Sequence, residues 1–294
     1  LRLPTMREDG NMKLPFKPDF RGKVAVITGG TGVLCSVFAK ALAACGAKVA
    51  ILGRSEEKAK KLEAEIKAEG FEALGLSANV LDKESLEAAH GLVLERFGKC
   101  DILINGAGGN SPEATTDAEF FDAEKFDLPG HKSFFDITQE GFENVFGLNM
   151  TGTVLATQVF ARDMIGRPGS VILNVSSMNA FTPLTKIPAY SAAKAAVSNF
   201  TRWLAVHFAK AGIRVNAIAP GFFSTAQNAA LLWNPDGTPT PRTQKILNHT
   251  PLGRFGEPEE LVGTMLWLLD NESSRFVTGI IVPVDGGFSA YSGV

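Results

Sequence analysis

The chain has 294 residues, of which 45% are hydrophobic and 20% charged, with 30 glycines and 15 prolines. So large an apolar fraction can build a core that offsets chain entropy, which excludes disorder, and the glycines lack the three-residue period of collagen. Twenty-nine Lys and Arg against 31 Asp and Glu leave a net charge of −2, so no nucleic-acid partner is expected.

Residues 1–21 mix charges with prolines and lack the apolar centre of a secretory signal; they read as an N-terminal extension, with Met12 as the natural start. From Gly22 the pattern is regular. KVAVITGG is a short buried strand entering a glycine turn, and VFAKALAACG follows with Phe38, Leu42 and Cys45 at helical spacing. KVAILGR is the second strand, and SEEKAKKLEAEIKAEG is a helix with Ser55 as N-cap and Gly70 as its stop. FEALGLSANV, the helix KESLEAAHGLVLERFG and the strand CDILINGAG continue the alternation. The second half repeats it: a helix near GFENVFGLNMTGTVLATQVFARDMI, the strand SVILNVSS, the helix AYSAAKAAVSNFTRWLAVHFAKAG, the strand IRVNAIAPG, the helix PEELVGTMLWLLDN and the strand GIIVPVDGG. This order predicts one α/β domain over residues 22–294, doubly wound, with a parallel sheet and helices on both faces. Two segments break the rhythm after strand C-termini, where such sheets bind ligands: a Phe-rich acidic insertion at 109–136 and a proline-rich lid at 222–255.

Cys35, Cys45 and Cys100 form no CxxC pair and have no metal-spaced histidines, so neither a disulfide framework nor a metal site is expected, and a reducing cytoplasm fits. Apolar runs end well short of about 18 residues, so no membrane span is expected.

TGGTGVLC joins the first strand to the first helix, where glycines let backbone approach a pyrophosphate; alone, such a turn equally just reverses the chain. The second strand ends at Gly53-Arg54, where NAD-binding folds usually carry an acid. Arg54 there suits a 2′-phosphate and favours NADP, with NAD also open; a solvated loop arginine is the plainer alternative. In AYSAAKAAV, Tyr190 and Lys194 stand four apart on one helix face, and the cation is expected to lower the phenol's pKa toward neutrality for acid–base work on a carbonyl or alcohol oxygen. Ser177 ends the fifth strand at the same sheet edge.

From Gly22 to Gly287 the chain resembles the classical short-chain dehydrogenase/reductase family, on TGGTGVL, INGAG, Asn149 in FGLNMTGT, Ser177, Tyr190 with Lys194, and Pro220-Gly221. The resemblance implies a Rossmann-like domain in dimers or tetramers and NAD(P)-dependent oxidoreduction at a C–OH/C=O centre. It makes Tyr190 the general acid/base, Lys194 the residue that lowers its pKa and holds the nicotinamide ribose, Ser177 a hydrogen-bond partner of the substrate oxygen, and Asn149 part of a water-linked proton path. It places the cofactor on Gly29, Thr31, Gly32, Val33, Leu34, Arg54, Asn79, Val80, Asn105, Gly106, Ala107, Tyr190, Lys194, Pro220 and Gly221. The chain departs from the family's TGxxxGxG at Val33 and Cys35, from its NNAG at Gly106, and from its Asp-Val pair at Asn79.

Within that family, SSMNAFTPLTKIPAYSAAKAAVSNFT, APGFF and VPVDGGFSAYSGV resemble the D-mannonate oxidoreductase, or fructuronate reductase, group. The lid carries Arg242, Lys245 and Arg254 against Asp236, which favours an anionic small molecule such as a sugar acid, and Asn110 and Asn179 suit its hydroxyls. The plainer alternatives are a solvated helix face and turn caps. Leu231, Leu232 and Trp233 keep an apolar ketone open, a 3-oxoacyl thioester among the rivals. Val33 and Cys35 keep open a non-catalytic dinucleotide sensor.

Overall fold

The computed structural model describes residues 16–224 and 232–293; Met12 and Leu231 lie outside them. The described residues build a seven-stranded sheet from β1 (Val24–Thr28), β2 (Lys48–Gly53), β3 (Ala73–Ser77), β4 (Ile102–Asn105), β5 (Val171–Val175), β6 (Arg214–Pro220) and β7 (Ile281–Val284). Every pairing is parallel, in the order β3-β2-β1-β4-β5-β6-β7. The strand order therefore reverses between β1 and β4, which opens a crevice at their C-terminal ends.

Burial on both faces explains why the strands read as continuous apolar runs. Alternate residues go to opposite layers. Ile27, Ile51 and Ile104 pack under α1 (Val33–Ala44) and α2 (Glu56–Ala68), while Val26, Leu52 and Leu103 pack under α3 (Lys83–Phe97). The first layer is completed by α8 (Val262–Leu269), and the second by α5 (Gly152–Phe160) and α6 (Pro188–Phe208). The helix expected around residues 141–165 is interrupted. It runs as α4 (Gln139–Phe146), a π turn over Gly147–Thr151, α5 and a 3-10 turn. The insertion is built from loop and two 3-10 turns, and the lid contains α7 (Pro241–Asn248). Among the described residues no helix is long and apolar enough to cross a membrane.

Candidate active site

The C-terminal ends of six strands place the sequence-predicted residues along one edge of the sheet. At the β1 exit, Gly29 lies at φ +62°, where a Cβ would meet the Ala107 backbone at 2.7 Å. The two turns at the crevice are thus in backbone contact, and Thr28 ties them further by accepting from Gly106 N (3.2 Å) and Ala107 N (3.4 Å). Gly32 caps α1 without any side-chain cap, whereas Ser55, Asp82 and Thr138 cap α2, α3 and α4. The first amides of α1 are left for an anion, with the helix dipole behind them. Val33 begins the helix half-exposed beside half-exposed Leu34, so the close turn is made by Gly29, Gly30 and Gly32.

Cys35 and Gly106 explain each other. A Cβ on residue 106 would stand 2.2 Å from Cys35 Sγ, so the thiol fills the volume that an asparagine in the NNAG pattern would need. Burial pushes that thiol up to about 12, with nearby Lys194 pulling the other way. It is a protonated packing group, not a nucleophile.

The other dinucleotide candidates line the same edge. Gly53 packs its backbone on Thr31, Arg54 is exposed just beyond β2, and Asn79 closes its own turn by accepting from Leu81 N (3.1 Å). Val80 is buried against Gly152, and Pro220 ends β6, where a Cβ on Gly221 would strike Asp285. Asn105 is buried beneath the edge and donates to Thr157 (3.0 Å) and Asn174 (2.8 Å). A cradle of close backbone turns ahead of an uncapped helix fits a dinucleotide pyrophosphate.

Four side chains then converge beyond β4 and β5. Asn149 sits in the π turn, donating to Val145 O (2.8 Å) and Gly109 O (2.7 Å) and accepting from Gly109 N (3.3 Å). Lys194 is buried and donates to Val175 O at 2.8 Å. Gly108 is where they meet: a Cβ there would lie 2.6 Å from Asn149 Oδ1 and 3.0 Å from Lys194 Nζ. Ser177 caps the 3-10 turn Met178–Ala180 and hydrogen-bonds the Tyr190 phenol. The expected lowering of the Tyr190 pKa is corrected here. Burial pushes the phenol above its ordinary value, against the Ser177 hydrogen bond, and Lys194 Nζ stands 5.7 Å from the ring centroid, held on a carbonyl. Burial also brings Lys194 itself down to about 8.

The predicted substrate residues fare differently. Asn179 is buried with its Oδ1 unpartnered, two residues beyond Ser177. Asn110 is exposed and donates to Thr115 within its own loop (3.0 Å). The lid's positive excess is largely compensated: Lys245 binds Glu119 of the insertion (2.8 Å) and Arg254 binds Glu260 (2.6 Å), while Arg242 is exposed. Leu232 is buried against Ile246 and Phe255, with Trp233 packed beside them, so these apolar side chains hold the lid together. Two features were missed by sequence reasoning: Gly108, and the pairing of Glu119 with the lid. The first lay inside the INGAG motif; the second depends on a contact between distant segments.

The short chain dehydrogenase family model matches residues 23–234, across the crevice and the four convergent side chains. The chain belongs to the short-chain dehydrogenase family. It is therefore an oxidoreductase. A solved structure from Haemophilus, provisionally named a D-mannonate oxidoreductase and containing bound NAD, is 55% identical, with a TM-score of 0.91 over 94% of this chain and 98% of that one. An uncharacterized oxidoreductase of Bacillus subtilis is 55% identical over 96% of this chain and all of its own length (100%). The 3-oxoacyl-[acyl-carrier-protein] reductase of Aquifex aeolicus is 35% identical over 91% of this chain and 97% of that protein.

Proposed function

We propose that this short-chain dehydrogenase reduces the ketone of a sugar acid, with D-fructuronate giving D-mannonate as the specific reaction, or runs the reverse. The observation that carries the reading is Asn179 Oδ1, buried beside Ser177 without a partner. An unfilled acceptor costs roughly 1–3 kcal/mol, which a substrate hydroxyl next to the reacting carbonyl recovers and an acyl chain does not. The name of the Haemophilus neighbour supports the same substrate.

The turns at Gly29, Gly30 and Gly32 and the uncapped start of α1 would hold a nicotinamide dinucleotide, which would supply hydride to the carbonyl carbon, C5 of fructuronate. Ser177 and Tyr190 hydrogen-bond the carbonyl oxygen, and Tyr190, kept protonated by burial, gives its phenolic proton to that oxygen as the alcohol forms. Lys194 and Asn149, fixed on Val175 O, Val145 O and Gly109, hold the nicotinamide end of the site in place. Arg54, exposed and without an ion-pair partner among the described residues, gives NADPH an anchor for its 2′-phosphate. The reading thus takes both dinucleotides, with NADPH preferred; the neighbour's NAD supports the second.

The test is turnover of D-fructuronate, tagaturonate and acetoacetyl thioester with NADPH and NADH. Fructuronate should react fastest, and Arg54→Gln should lower kcat/KM for NADPH by about tenfold while sparing NADH. Faster thioester reduction would overturn the substrate reading, and tight NADPH binding without turnover of any ketone would make the protein a sensor.

A further inference from the structure

Among the described residues Lys186 is the one non-glycine residue at positive φ, +70°. A glycine would relax that backbone; the chain holds a lysine there instead, four residues before Tyr190 and just ahead of α6. Its carbonyl accepts from Thr116 N (2.9 Å), which draws the insertion alongside. Three residues further on, Glu119 shares a surface depression with Lys186 and takes both of its oxygens to Lys245 Nζ of α7, at 2.9 and 2.8 Å. The Glu119 carboxyl is held below its usual range by the Lys245 hydrogen bond, with Lys186 and Arg242 adding attraction. Three bases from two separate segments thus surround one carboxylate. Lys245 is spent on Glu119, whereas neither Lys186 nor Arg242 has an ion-pair partner among the described residues.

We propose that Lys186 and Arg242, gathered around the Glu119–Lys245 bridge, bind the carboxylate of the substrate. This rests on the sugar-acid reading above and adds the residues that select the acid. The chain sets an upper limit on the distance from Lys186 to Tyr190. Four residues span at most about 14 Å even when extended, and the start of α6 shortens that path. Fructuronate has three carbons between its ketone and its carboxylate, so a carbonyl held by Ser177 and Tyr190 leaves the acid group within the sweep of a lysine rooted just before the helix. Glu119 keeps the bases together when no substrate is present; Asp122 and Glu124 line the same depression, Asp122 paired with Lys125, so the bases Lys125, Lys186, Arg242 and Lys245 still exceed the three acids by one charge for an incoming anion.

The experiment compares kcat/KM for D-fructuronate with that for D-fructose, which carries CH2OH in place of the carboxylate, in the wild-type protein and in Lys186→Gln, Arg242→Gln and Lys186→Arg, each with saturating NADPH. The expected result is a wild-type preference for the acid that falls about tenfold or more in each glutamine variant, through a raised KM for fructuronate, and that survives in Lys186→Arg. A wild-type protein that favours fructose overturns the sugar-acid reading. A wild-type preference for the acid that persists in both glutamine variants overturns the cluster alone. Lys186→Gly adds a stability control: it relieves the backbone, so loss of acid preference in a variant that melts no lower than wild type excludes misfolding as the cause.

Discussion

At Tyr190 two influences oppose each other, and burial outweighs the Ser177 hydrogen bond, so the phenol enters the reaction protonated. That suits reduction, in which it gives a proton away, and handicaps oxidation, which needs phenolate. The pH dependence of the two directions follows. Lys194 is depressed to about 8, so its charge is present at neutral pH and lost as pH climbs past that value. Reductive kcat is expected to be level through neutrality and to decline above about pH 8, while oxidative kcat rises as the phenol begins to ionise. Pre-steady-state rates from pH 6 to 10 in both directions check this, and a reductive rate level to pH 10 would remove Lys194's charge from the mechanism. Tyr190→Phe should lower both directions by roughly 10²–10⁴-fold. The YxxxK spacing was readable from the chain; the sign of the phenol's shift was not, because desolvation depends on what the fold lays over the ring.

Elements with local signals formed where their residues pointed. Ser55 accepts from Lys58 N at the start of α2, and Gly70 follows its end at φ +86°. The π turn at Asn149 had no such signal, since FENVFGLNMTGT keeps helical periodicity throughout; its extra residue per turn goes with the hold of Asn149 on Gly109, forty positions away. The α1–β4 contact is the sharper case. Cys35 and Gly106 each look like a defect in a family pattern, and only their packing shows them to be one substitution in two places. Gly106→Asn alone should cost about 1–3 kcal/mol by overpacking against Sγ. Cys35→Gly alone should cost a similar amount, through a lost apolar side chain and a glycine within α1. Urea unfolding of the double variant should recover about 0.5–3 kcal/mol relative to the sum of the single changes, and simple additivity would refute the coupling.

Across the whole molecule, the insertion and the lid leave different strands and meet at Glu119–Lys245. The −2 net charge hides this junction, and the lid's apparent basicity in the chain is mostly spent on it and on Glu260. An exposed pair of this kind is largely screened by solvent, so Glu119→Gln should shift Tm by about 2 °C or less. Its effect belongs to the two segments: hydrogen exchange should quicken in residues 112–121 and 241–248 and stay unchanged in the sheet. A fall in Tm of many degrees, or exchange that quickens in β1 or β4, would show instead that the junction supports the core.

The sequence by itself determined the alternation of strands and helices and the YxxxK spacing, because these rest on short-range periodicity or on fixed spacing within one element; the remaining site residues were expected from the family resemblance. The tertiary structure decided which charges remain free, which way the Tyr190 equilibrium leans, and how Lys186, Glu119 and α7 come together. Those outcomes depend on burial and on distances between segments as far as 126 residues apart, and neither quantity exists until the chain has folded.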